Sequence, residues 1–167
     1  MPELFPAWLI PLVFGMVGAC IGSFLNVVIY RVPLGISIHD PARSFCPECD
    51  EPIPWYLNIP VFSWLFLRGK SACCRTPISF RYWLVELLTA LIFAAMAWKY
   101  ADASLGAAVL LCVWSALAIV IIFIDAEHLI VYRSQALAAA AAGVGASCFF
   151  PFLLPDKEIM TWTDAFQ

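Results

Sequence analysis

The chain has 167 residues, 63% hydrophobic and 13% charged, with a net charge of −3 and a mean hydropathy of +0.90. A soluble domain carries about 25% charge, so a water-facing surface cannot be built from this sequence and lipid must be its main solvent. The slight acidity offers no polyanion-binding surface, which excludes nucleic acid as a partner.

Leu4 to Tyr30 carries no charge and predicts a first transmembrane helix within residues 1–30. A cleaved signal peptide fits poorly, because no basic residue precedes Arg31 and the apolar stretch is too long. Val17-Gly18-Ala19-Cys20 has some likeness to a lipoprotein cleavage site, but it too lacks the basic start. Residues 31–81 follow as the one polar stretch of any size. Pro33, Pro41, Pro47, Pro52, Pro54, Pro60 and Pro77 rule out a long helix there and favour turns.

Residues 82–155 hold three more uncharged or nearly uncharged runs. Tyr82 to Trp98 carries only Glu86, while Leu105 to Ile124 and Ser134 to Pro155 carry no charge. In lipid every backbone polar group needs an internal partner, so these runs are helices. The alanine-rich stretch from Ala136 to Ala142 suits close packing. Residues 156–167 form a short tail. The fold class is therefore an all-α membrane protein of about four transmembrane helices, with a Pro- and Cys-rich loop between the first two.

The basic residues give an orientation. Arg31, Arg43, Arg68, Lys70, Arg75 and Arg81 all lie between the first and second helices. Positive residues stay cytoplasmic, so this loop is predicted inside and the amino terminus outside. The third helix then returns to the cytoplasmic face with Asp125, Glu127 and His128.

Cys46-Pro-Glu-Cys49 is a C-x-x-C knuckle, and the adjacent pair Cys73-Cys74 follows 24 residues after Cys49. Paired cysteines at such a separation suit a tetrahedral zinc, and a reducing compartment favours metal over disulfides. One feature departs from the pattern: Ser71 stands where a second C-x-x-C would begin. The alternatives are a zinc-stapled lobe held by Cys46, Cys49, Cys73 and Cys74, or a relic with free thiols. Cys20, Cys112 and Cys148 read as small packing residues within helices.

Several strings resemble one family. Gly22-Ser-Phe-Leu-Asn-Val-Val-Ile-Tyr-Arg-Val-Pro33, Cys46-Pro-Glu-Cys49, Asn58-Ile-Pro60 with Ser63-Trp64, Leu67-Arg-Gly69, Pro77-Ile-Ser-Phe-Arg-Tyr82, Val85-Glu-Leu-Leu88 and Phe123-Ile-Asp-Ala-Glu-His128 occur in this order. Together they are similar to the amino-terminal half of a bacterial type IV prepilin peptidase, from Phe14 to about Gln135. The resemblance implies a multi-pass aspartic protease of the bacterial cytoplasmic membrane. Such a protease cuts the leader peptides of type IV prepilins or type II secretion pseudopilins at the cytoplasmic face. Many members also methylate the new amino terminus with S-adenosylmethionine, which would be a cofactor here only if that activity is retained.

In the family two membrane-border aspartates do the proteolysis, and Asp125 matches the first. Leu129-Ile-Val-Tyr-Arg-Ser134 departs from the Ile-Pro-Asp that usually follows it, and the Gly-x-Gly-Asp motif of the second occurs nowhere in the sequence. The expectation is a carboxy-terminally truncated relative whose catalytic pair is incomplete, leaving its enzyme status open. The alternative is a non-catalytic membrane protein that binds pilin leaders or assembly partners. The oligomeric state is left open.

Two acids invite a closer reading. Aspartic proteolysis needs two adjacent carboxylates, whose repulsion splits their pKa values so that one is protonated and the other ionised. Glu127, two residues from Asp125, points to another helix face and cannot be the second. His128 shares the Asp125 face, so an Asp125–His128 pair is expected there. Glu86 is expected to find an internal hydrogen bond or to pair with Arg81, with a role in methyl transfer or substrate positioning as the functional alternative.

Overall fold

The computed structural model describes residues 6–39, 44–46 and 48–128, and beyond these only 137, 140, 141 and 143–145. Three long helices dominate the described residues: α1 (Leu9–Arg31), α3 (Phe80–Tyr100) and α4 (Leu105–His128). Between α1 and α3 lie a single 3-10 turn (Trp55–Leu57) and the short helix α2 (Phe62–Phe66). The long helices have 23, 21 and 24 residues and mean hydropathies of 2.2, 1.5 and 2.9 in their most apolar windows. At 1.5 Å per residue each is about 31–36 Å long, which matches a hydrocarbon core of about 30 Å. The predicted fourth span, Ser134 to Pro155, lies outside the described residues save for those few positions.

Local chemistry sets the helix ends. Pro33 cannot continue α1, and the chain turns through Gly35 at φ +67°, with Ile36 N donating back to Arg31 O. Ser79 caps α3 by accepting from Arg81 N at 3.3 Å, and Ser104 Oγ accepts from Ala107 N at 3.2 Å as α4 begins.

Helix α1 packs chiefly along α3, and α4 packs on α3 with lighter contact to α1. The α1–α3 approach rests on Gly18 and Gly22, one turn apart. A Cβ on Gly18 would lie 2.8 Å from Thr89 O, and one on Gly22 would lie 2.8 Å from Glu86 Cα. Small residues at this spacing let two helix backbones meet, which is the route to tight packing where lipid removes the hydrophobic drive. Leu25, Ile29, Val85, Ile119, Val120 and Ile124 form the buried cluster where all three helices meet. The outward faces keep large apolar side chains exposed, among them Met16, Phe24, Leu91, Trp98 and Ile122, as lipid contact requires.

Candidate active site and cysteine cluster

The 31–81 loop folds back on itself twice. Cys46 N donates to Glu51 O, and Ile53 N donates to Ser44 O. Ser71 N donates to Thr76 O, and Ile78 N donates to Gly69 O. The two knuckles are related. Cys46-x-x-Cys49 is followed by Asp50 at φ +55°, and Ser71-x-x-Cys74 is followed by Arg75 at φ +62°. Ser71 therefore occupies the place of a first cysteine, as the sequence spacing indicates, and Cys73 supplies the missing sulfur from inside the turn.

All four thiols converge. The Sγ atoms of Cys46, Cys49, Cys73 and Cys74 lie within 4.8 Å of one another and could hold a metal ion. Cys46–Cys74 is 3.5 Å, Cys49–Cys73 is 3.2 Å and Cys73–Cys74 is 3.8 Å. A tetrahedron of sulfurs at the zinc–sulfur bond length has edges of about 3.8 Å. The adjacency of Cys73 and Cys74 is thus no obstacle to a shared site.

The cluster holds its protons unevenly. The Ser71 hydroxyl, then the Thr76 hydroxyl and N–H, stabilise the Cys74 thiolate and bring that group down to about 5. The Glu48 N–H lowers Cys46. At Cys49 the Glu51 N–H acts downward, but the Cys73 thiol, burial and the other two sulfurs outweigh it and push the thiol up to about 12.

Inward of the cysteines lies a cavity of about 580 Å³ between the loop and the ends of α1 and α3. Ser23, Asn26 and Tyr30 of α1 and Tyr82 and Glu86 of α3 line it, together with Cys46, Cys73 and Trp64 of the loop. Asn26 is buried and donates from Nδ2 to Tyr82 O at 2.9 Å. Arg31 ends α1 and donates to Ser37 O at 3.0 Å, with its guanidinium over the Phe45 ring. The first contact ties α1 to α3, and those of Arg31 tie the loop to the helix it leaves.

Glu86 does not pair with Arg81. It accepts the Val61 N–H at 2.7 Å, the internal hydrogen bond that was one of the two expectations. Val61 has φ +65° and ψ −52°, and Phe62 N reaches Pro60 O at 2.7 Å, which makes a strained γ-turn for a β-branched residue. Arg81 instead pairs with Glu127 across the start of α3 and the end of α4.

Asp125 sits in the last turn of α4, half-buried and next to the fully buried Ile124. The expected pair with His128 is not formed, and among the described residues the Asp125 side chain makes no hydrogen bond or ion pair. It does not line the cavity. The Arg81–Glu127 pair nevertheless brings its turn to the end of the bundle where the loop enters α3. Sequence reasoning missed this pair and the cavity, because both join residues dozens of positions apart.

The model of the bacterial peptidase A24 N-terminal domain matches residues 16–100. The chain belongs to this family. Its relatives named prepilin leader peptidase/N-methyltransferase include one from Myxococcus xanthus (strain DK1622), 46% identical over 77% of this chain and 38% of the relative. Those from Neisseria gonorrhoeae and Dichelobacter nodosus are 40% and 38% identical, over 67% and 87% of this chain and 46% and 59% of their own lengths. The chain thus spans between 38% and 59% of the length of these three relatives. No solved structure matches it. The matched residues of this A24 member take in α1 from Met16 onward, the whole loop with its four cysteines, and α3, whereas Asp125 lies beyond them.

Proposed function

We propose that this A24 family member serves in cleaving the leader peptides of type IV prepilins or pseudopilins at the cytoplasmic face of the bacterial inner membrane, with Asp125 as one carboxylate of the catalytic pair. The observation that carries this reading is the Arg81–Glu127 pair, which draws the Asp125 turn to the loop end of the three-helix bundle. A carboxylate at a membrane border is where an apolar pilin helix would leave lipid and meet water. An ionisable residue there is a functional candidate in its own right.

The sign of the charges supports the orientation. Arg31, Arg68, Lys70, Arg75 and Arg81 belong to the loop end, and Lys99 lies at the far end of α3. We infer that this end lies inside, with the amino terminus outside. Aspartic chemistry needs a second carboxylate beside the first, one ionised to activate water and one protonated to polarise the scissile carbonyl. Among the described residues none fills that place, since Glu127 is committed to Arg81. The cysteine cluster would hold zinc in a structural role, with all four positions taken by sulfur and none open to a substrate. Methyl transfer, the second activity in the relatives' name, would need S-adenosylmethionine.

The test is an Asp125→Asn substitution at the native gene, with the pilin mass measured in isolated membranes. Retention of the leader on the pilin is the expected result. Unchanged processing would overturn the catalytic role and favour the non-catalytic reading, in which the loop and its cavity bind pilin leaders or assembly partners.

A further inference from the structure

The loop between α1 and α3 contains a stretch unlike the rest of it. From Trp55 to Leu67 there is no charged residue. Six of its large apolar side chains are exposed: Trp55 and Phe66 are each 82% exposed, and Tyr56, Ile59, Phe62 and Leu65 are exposed with them. A loop in water would not keep so many aromatic and aliphatic groups uncovered, because burying them is worth roughly 1.5–3 kcal/mol each.

The depth of this stretch is fixed by its ties to α3. Val61 N donates to Glu86 Oε2, and Glu86 lies six residues inside a helix that begins at Phe80. At 1.5 Å per residue that is about 9 Å along the axis. Helix α3 has 21 residues, about the number needed to cross the hydrocarbon core, so little beyond its first turn is spare and Glu86 lies below the membrane surface. Trp64 seats α2 against the first turn of α3, just outward of Glu86. Its ring packs on Phe80 and Trp83 of the first turn of α3, and its Nε1 donates to Ile78 O at 3.2 Å. Gly69 permits this seat, since a Cβ there would stand 2.8 Å from the Trp64 ring.

We propose that Trp55–Leu67 is an interfacial membrane anchor, with α2 lying in the headgroup–acyl boundary beside α3 and Phe62, Leu65 and Phe66 in contact with lipid. Backbone in lipid must satisfy its own polar groups, and much of this stretch around α2 does so. The N–H groups of Phe62, Ser63, Leu65 and Leu67 donate to carbonyls two to four residues back, Val61 donates to Glu86, and Pro54 and Pro60 have no N–H to satisfy. Trp55 and Tyr56 are the side-chain types that settle at the headgroup level. Arg68 and Lys70 follow at once, placed for the phosphates of anionic headgroups. Trp64 joins the stretch to Phe80, which is itself exposed on α3, so one solvent can cover both. Seated there, the anchor also shields the Glu86 carboxylate from the hydrocarbon. This inference rests on the helices spanning a membrane and is independent of the proteolytic reading.

The experiment is photocrosslinking of the full chain in nanodiscs of phosphatidylethanolamine and phosphatidylglycerol. Phe66→p-benzoylphenylalanine is compared with the same replacement of Leu91, on the exposed flank of α3, and of Glu51, in the polar part of the loop. Phe62→p-benzoylphenylalanine guards against misfolding at one position. The expected result is a lipid adduct at 66 and 62 within about twofold of that at 91. An adduct no greater than that at Glu51 would overturn the anchor. A crosslinked species of twice the chain mass would do the same, by showing that a second copy covers this face.

Discussion

Arg81 and Glu127 form an ion pair across 46 residues of sequence and fasten the first turn of α3 to the last turn of α4. Asp125 lies two residues from Glu127, so the pair holds the turn that presents it. The Glu127 side chain is 37% exposed, and a pair this wet contributes about 1 kcal/mol at most. Arg81→Ala and Glu127→Gln should therefore each speed hydrogen exchange over residues 121–128 by up to about fivefold. The charge-reversed double variant Arg81→Glu/Glu127→Arg should restore much of the protection. Equal exchange in all variants would show that Ile124 and its neighbours hold the turn unaided.

How much of this was legible in the sequence follows from the range of the forces. The long uncharged runs reveal α1, α3 and α4, because crossing lipid imposes a length and a composition that no local detail overrides. The four cysteines are legible by residue type, and even the odd placement of Ser71 is readable as a knuckle position. What could not be read is how Cys73 enters the site, since that depends on turn geometry rather than spacing. The partners of Glu86 were equally hidden. Arg81 is five residues away and of opposite charge, yet it is drawn to Glu127, while Glu86 takes a backbone N–H from a strained turn 25 residues earlier. The Asp125–His128 pair failed for a related reason: favourable spacing on a helix allows a contact without enforcing it.

The Gly22 contact predicts a sharp contrast between two glycines of α1. A methyl group at Gly22 would meet Glu86 Cα at 2.8 Å, backbone that cannot swing aside, whereas one at Gly15 would meet Ala94 Cβ at an ordinary 3.5 Å. Gly22→Ala should cost about 1–3 kcal/mol, the usual range for overpacking, read as a lowered thermal unfolding midpoint in detergent. Gly15→Ala should leave the midpoint in place. Tolerance of Ala at both positions would mean that α1 and α3 stand further apart.

The Glu86–Val61 hydrogen bond predicts how the loop is held. A hydrogen bond to a carboxylate contributes about 1.5–3 kcal/mol, and it supports a backbone conformation that costs about 1–3 kcal/mol on its own. Glu86→Ala removes the acceptor and should release the Pro60–Phe62 turn, seen as loss of exchange protection at the Val61 amide. Glu86→Gln keeps an acceptor oxygen and should preserve most of that protection. If Ala and Gln behave alike, the turn is held by the packing of Trp64 instead.

The cysteine cluster predicts both a stoichiometry and its pH dependence. Purified chain should carry one zinc, and Cys49→Ser or Cys73→Ser should lower its retention against a chelator. The knuckle geometry makes a sharper claim: Ser71→Cys combined with Cys73→Ser should hold zinc at least as well as the natural chain, because it restores a regular C-x-x-C at the position Ser71 already occupies. At neutral pH Cys74, held down at about 5, is a thiolate, while Cys49, pushed up to about 12, is a thiol. Closing four sulfurs on a cation therefore expels the Cys49 proton, and the affinity must rise with pH. Acidification toward 5 should weaken the affinity further, since Cys74 of the metal-free cluster then also takes up a proton. Isothermal titration in buffers of different ionisation enthalpy would read this proton release, and a zinc affinity that did not change with pH would exclude thiolate ligation by this cluster.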